Sequence, residues 1–109
     1  MQTEETVLRA LGLCAKAGKL IFGVPMICEA LKAKKKIYLV IEPADNAPNS
    51  SKRLHDRCTY YATSLVSLSA NGEELARAVG KSARLAAVAV TDEHLAALVR
   101  SRIDELKEK

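Results

Sequence analysis

Residues 37–42, IYLVIE, are a run of β-formers with no polar interruption before Glu42, and no other stretch constrains the fold as tightly. A strand of this kind has no face to give to water, so it has to lie mid-sheet and be covered on both sides. AAVAV, residues 86–90, reads as a second buried strand. The flanking segments must then supply helices to cover them.

They do. Val7, Leu8, Leu11, Cys14 and Ala15 put an apolar stripe on a helix over 4–17, which Gly18 closes as a left-handed cap. Leu20 to Phe22 read as a short buried strand. Pro25 suits the first turn of the next helix, where its N–H would be unpaired anyway, and Ile27, Ala30 and Leu31 continue that helix. The lysine-rich run Lys32 to Lys36 ends it, as a solvated turn with cations near a helix C-terminus. PADNAPN, 43–49, is the one clear loop, and Asn49 or Ser50 is expected to cap a helix carrying Leu54, Cys58 and Tyr61. SLVSL, 64–68, alternates as a strand, and Asn71 or Gly72 opens a short acidic-first helix that Gly80 stops. After Thr91 or Asp92, a last helix places Leu95, Leu98, Val99, Ile103 and Leu106 on one face. Helices and strands alternate throughout, which predicts an α/β chain with a largely parallel sheet of about four strands between helix layers.

At 109 residues the chain, 1–109, makes a single domain, too short for a catalytic domain plus a separate recognition domain. No stretch approaches the ~20 apolar residues of a membrane span. The opening MQTEETVLRA is acidic where a signal peptide is basic, so a cytoplasmic protein with no membrane partner is expected. Cys14, Cys28 and Cys58 have no paired spacing and read as small core residues. His55 and Cys58 form one H-x-x-C pair, whereas a zinc site takes about four ligands, so neither metal nor cofactor is expected. GLCAKAGK puts five residues rather than the required four between its glycine and Gly-Lys, and Leu20 follows where a phosphate loop needs Ser or Thr. His55 and His94 lack a flagged nucleophile, and Glu73 and Glu74 suit the first turn of a helix for dipole reasons alone. Catalysis is therefore not expected.

The net charge is +4, and the excess is uneven: residues 1–91 hold thirteen Lys/Arg against eight Asp/Glu, and the last eighteen hold four against five. Such a surplus suits a polyanionic partner and equally suits a merely soluble protein. AKAGKLIFGVPMI, 15–27, is more specific, because it restarts a helix at Gly23, and helix starts expose unpaired N–H groups that attract anions. If the sheet winds as expected, the GKSARLAAV turn could bring Lys81 and Arg84 alongside Lys19, a rim suited to a folded RNA read by shape. Ordinary capping and chain connection explain the same residues.

Three blocks, LGLCAKAGKLIFG, KIYLVIEPADNAPNSSKRLHDRCTYY and EELARAVGKSARLAAVAVTD, occur in an order and spacing that resembles the kink-turn RNA-binding ribosomal proteins, and within them the small bacterial YlxQ-like branch. The resemblance spans roughly residues 7–100. It implies a three-layer α/β/α sandwich with a mixed four-stranded central sheet. It also implies that structured RNA, ribosomal or ribosome-associated, is met by the start of the second helix and the turn before the last strand. The family's Gly-x-Asn-Glu-x-x-Lys opening falls on Gly23, but its Asn, Glu and Lys positions hold Pro25, Met26 and Glu29. Proline offers no side-chain donor, methionine no useful acceptor, and Glu29 repels phosphate. What carries over is Lys19, the Gly23 helix start and the turn from Lys81 through Ala87, with Arg84 and with Leu85 and Ala86 at an apolar contact position. Two functions follow from this: RNA held by backbone and shape with weakened base readout, or a protein-interaction module whose partner docks on Phe22, Val24, Pro25 and Met26.

Overall fold

A computed structural model describes residues 4–107. In chain order the elements are α1 (Glu4–Lys16), β1 (Leu20–Phe22), α2 (Val24–Lys32), β2 (Leu39–Glu42), α3 (Pro48–Tyr60), β3 (Leu65–Ser67), α4 (Gly72–Ala78), β4 (Val88–Val90) and α5 (Glu93–Lys107). The sheet order is β1-β4-β2-β3. The two uninterrupted apolar runs, β2 and β4, are therefore the two central strands.

Their side chains divide by parity. Leu39, Ile41, Val88 and Val90 point into the layer formed with α1, α4 and α5, where Val7, Leu11, Leu75 and Val99 are fully buried. Val40, Ala87 and Ala89 point the other way, against Ile27, Leu31 and Leu54 of α2 and α3. Alternation by twos on a sheet covered on both faces is what an unbroken apolar strand requires. The three cysteines are buried in these two layers, as small core residues. Burial, with smaller contributions from Cys28 and Glu42, pushes the Cys58 thiol up to about 11.

The sheet is mixed, and its parallel character is smaller than helix–strand alternation predicts. Only β2 and β3 are parallel, with Val40 opposite Leu65 and Glu42 opposite Ser67. β4 runs antiparallel to both β1 and β2, with Ala89 opposite Ile21 on one side and Val40 on the other. The reversal comes from the segment after α4. Gly80 turns the chain, which then travels back beside α4 until the Leu85 amide donates to the Gly72 carbonyl at 3.1 Å. β4 is thus entered from the end at which β3 was left.

The helix starts vary in their chemistry. α4 opens with a reciprocal capping box between Asn71 and Glu74, and the Asp92 carboxylate accepts from the Leu95 amide at 2.9 Å at the start of α5. The expected cap at Asn49 or Ser50 is not used, because α3 begins at Pro48, whose fixed φ suits a first helical position, with Ala47 before it and no side-chain cap.

The helix ends are alike. In α1 to α4 the residue after the last turn is left-handed and its amide and the next one return to the helix, as in Lys19 N–H to the Cys14 carbonyl at 3.0 Å. Gly18 and Gly80 fill two of these positions, but Lys34 (φ 59°) and Ala62 (φ 53°) fill the others. A left-handed L-residue costs about 1–2 kcal/mol, part of which glycine returns as lost chain entropy. Ala62→Gly is therefore expected to stabilise the domain by roughly 1 kcal/mol, raising the thermal midpoint by about 4 °C. A midpoint that stays put or drops would show that no such strain is held there.

Candidate functional site

The carboxyl ends of β1, β2 and β3 meet the start of β4 at one end of the sheet. There the chain turns from Phe22 into α2 through Gly23, whose φ of 88° and ψ of 148° exclude a residue with a Cβ. The Gly23 amide donates to the Ala87 carbonyl at 2.9 Å, and Pro25 has no amide to give. Of the four donors that a helix start usually leaves open, Val24 and Met26 remain. Pro25, Met26 and Glu29 are exposed, so neighbouring elements do not seal this mouth. The Lys81 ammonium sits 4.4 Å from the centroid of the Phe22 ring, which holds one cation beside the helix start.

The turn carrying Lys81 is tied down from two directions. Asp45 Oδ1 accepts from the Gly72 amide at 2.9 Å and from the Arg84 guanidinium at 2.7 Å, and Arg84 also donates to the Asp45 carbonyl at 2.8 Å. The Gly72 amide, followed by Arg84, holds the Asp45 carboxyl below the usual carboxylate range. A Cβ on Gly72 would lie 2.7 Å from the Leu85 carbonyl oxygen, so only glycine lets the returning segment approach this closely. Asn46 Nδ2 donates to the Ala86 carbonyl at 2.8 Å and to Glu42 Oε1 at 3.1 Å. This side chain thereby links the turn to the end of β2.

Glu42 is the hub beneath. It is 3% exposed, and it accepts from Ser67 Oγ at 2.7 Å, from Ser51 Oγ at 3.0 Å and from Asn46, while its second oxygen also meets His55 Nε2. Burial pushes its pKa upward, but the donors from Ser67, His55, Ser51 and Asn46 outweigh burial and set it below the ordinary value. Both hydroxyls point at the carboxylate and neither bonds to His55, so the group lacks the nucleophile-to-base contact of a triad. It is a clamp that holds three segments around one charge. The sequence marks Glu42 only as the end of a strand, because its partners Asn46, Ser51, His55 and Ser67 follow no shared motif.

The structure separates residues that the sequence groups together. Lys81, Phe22 and Gly23 are adjacent, but Lys19 lies at the other end of β1, where its carbonyl accepts from the Thr91 amide. Four residues of strand place its backbone about 13 Å from Gly23. Lys19 is thus not alongside Lys81 and Arg84, since β1 stands between them. Arg84 is engaged by Asp45, and Leu85 and Ala86 are half-buried against the two cores. Val24 is 5% exposed and Phe22 lies partly under Lys81, so the apolar surface expected over 22–26 shrinks to Pro25 and Met26. Among the described residues no cluster of three His, Cys, Asp or Glu side chains could hold a metal ion, and no helix is long and apolar enough to cross a membrane.

A chain of this sequence and fold has counterparts among known proteins. Over residues 5–99 the chain belongs to the Ribosomal protein L7Ae/L30e/S12e/Gadd45 family. It is 33% identical over 95 residues to the RNA-binding protein YlxQ of Bacillus subtilis (strain 168), covering 86% of this chain and 91% of that protein. Among solved structures, a protein with unknown function from Bacillus halodurans C superposes with a TM-score of 0.80 at 28% identity, over 90% of this chain and 96% of that one. The Giardia lamblia 15.5kD RNA binding protein superposes with a TM-score of 0.75 over 96% of this chain and 88% of its own, and at 18% identity it shows the shared fold.

Proposed function

We propose that this protein binds structured RNA at the start of α2 and along the turn from Lys81 to Ala87, holding phosphate by amides and cations and reading shape more than base identity. The observation that carries the reading is the open Gly23 mouth with Lys81 stationed over Phe22, in a chain of a ribosomal-protein family that is 33% identical to the RNA-binding protein YlxQ. Arg84 acts within the protein, as the strut that keeps the Lys81 turn at the mouth, because Asp45 already satisfies it. Pro25 and Met26 weaken any kink-turn base readout, since neither offers the polar side chain by which the family's opening reads bases, and Glu29 opposes phosphate where the family places a lysine. The RNA is ribosomal or ribosome-associated, and the protein works in the cytoplasm. A protein partner on the 22–26 segment would have only Pro25 and Met26 to grip, far less than the few hundred Å² that mark apolar docking surfaces.

Crosslinking the protein to RNA in cells and sequencing what accompanies it tests the ligand class directly. With a recovered RNA in hand, affinity should fall steeply with salt, with a log–log slope of about −2 for a small set of phosphate contacts. Lys81→Ala should reduce that slope by about 1. Recovery of no RNA at low salt would reject the reading.

A further inference from the structure

The densest group of uncommitted cations lies away from the mouth. Among the described residues Arg53, Arg57, Lys34, Lys35 and Lys36 enter no ion pair, and all five are exposed. Arg53 and Arg57 line a groove of about 440 Å³ on the outer face of α3, together with Asn49 and Tyr60. Lys34, Lys35 and Lys36 line a second groove of about 520 Å³ with Tyr38 and Tyr61, where the C-terminal ends of α2 and α3 come together. Tyr60 and Tyr61 join the two, with ring centroids 4.9 Å apart and planes at 83°. The one acidic side chain lining either groove, Asp56, is paired to Lys52 at 2.8 Å.

Tyr60 decides what kind of polyanion fits. It is 79% exposed, the most exposed of the large apolar side chains, and its edge-to-face contact with Tyr61 leaves ring surface open to solvent. A buried core does not need this ring, and a duplex keeps its bases stacked on one another where the ring cannot reach them. Single strands offer splayed bases that stack on aromatic faces while cations follow the backbone. We infer that the outer face of α3 and the Lys34–Lys36 turn form a second nucleic-acid surface, one that takes a single-stranded segment with a base stacked on Tyr60. It rests on the RNA-binding reading only for the class of its ligand. Its residues are separate from the mouth, so single-stranded and structured RNA occupy different faces.

The test measures binding of a short fluorescein-labelled oligouridine by anisotropy across a salt series. Tyr60→Ala leaves the charge unchanged and removes a largely exposed side chain, and it is expected to weaken binding on the order of tenfold, with Tyr60→Phe restoring it. Arg53→Ala with Arg57→Ala is expected to lower the salt slope by about 1.4, while Lys81→Ala at the mouth leaves oligouridine affinity unchanged. Equal affinity of Tyr60→Ala and the parent, absence of oligouridine binding at low salt, or an equal loss in Lys81→Ala would overturn the inference. A structured RNA that still responds to Lys81→Ala in the same preparations would show that the mouth stands when this second surface falls.

Discussion

Glu42→Ala is expected to cost about 2–4 kcal/mol of folding stability, measured by urea denaturation, because it removes a buried carboxylate that accepts from four side chains. The loss takes the acceptor from the half-buried Ser51, turns the exposed Ser67 and His55 to solvent, and leaves Asn46 only the Ala86 carbonyl. A domain of this size holds roughly 5–15 kcal/mol in total, so a large part of the margin would go. Glu42→Gln keeps an oxygen acceptor and should cost less, about 1–2 kcal/mol. The folded carboxyl lies below its ordinary value of 4.5, so the contribution is fully present above that pH and is lost as pH falls through the folded value. The stability gap between parent and Glu42→Gln should therefore be wide at neutral pH and close on acidification. A gap that is flat with pH would mean that the charge contributes nothing to the clamp.

The second large effect is a gain. Pro25, Met26 and Glu29 are all exposed, so Pro25→Asn, Met26→Glu and Glu29→Lys can be made together without disturbing either core. The asparagine adds both a side chain and a missing backbone amide, and the lysine replaces a carboxylate that opposes phosphate. Two restored base contacts at roughly 1–3 kcal/mol each should tighten binding to a kink-turn duplex by about a hundredfold or more. The measurement is a titration of parent and triple variant against the same duplex. If the triple variant binds no better than the parent, the Gly23 mouth is not where such an RNA docks.

Much of this was legible in the chain, and what was not has a physical reason. β2 and β4 announce themselves because an unbroken apolar strand has only one environment open to it. The Gly23 start is legible for the same kind of reason, since glycine followed by Pro25 permits few backbone conformations. Strand direction is not encoded in periodicity. It depends on whether the chain returns after α4, and that return rests on Gly72 fitting beneath the Leu85 carbonyl. The partner of Arg84 is not legible because its bond to Asp45 spans 39 residues, and those of Glu42 because Asn46, Ser51, His55 and Ser67 follow no shared spacing; charge alone does not tell a strut from a ligand contact. The sequence therefore groups Lys19 and Arg84 with Lys81, whereas the fold sets Lys19 at the other end of β1 and ties Arg84 to Asp45.

The most direct measurement of the central claim is a backbone amide chemical-shift titration with a structured RNA duplex carrying an internal loop. If the α2 mouth is the site, the amides of Val24 and Met26 and those of the 81–87 turn should move together, saturate, and return as salt is raised. If these amides stay still while the duplex binds elsewhere, the mouth at Gly23 is not an RNA site.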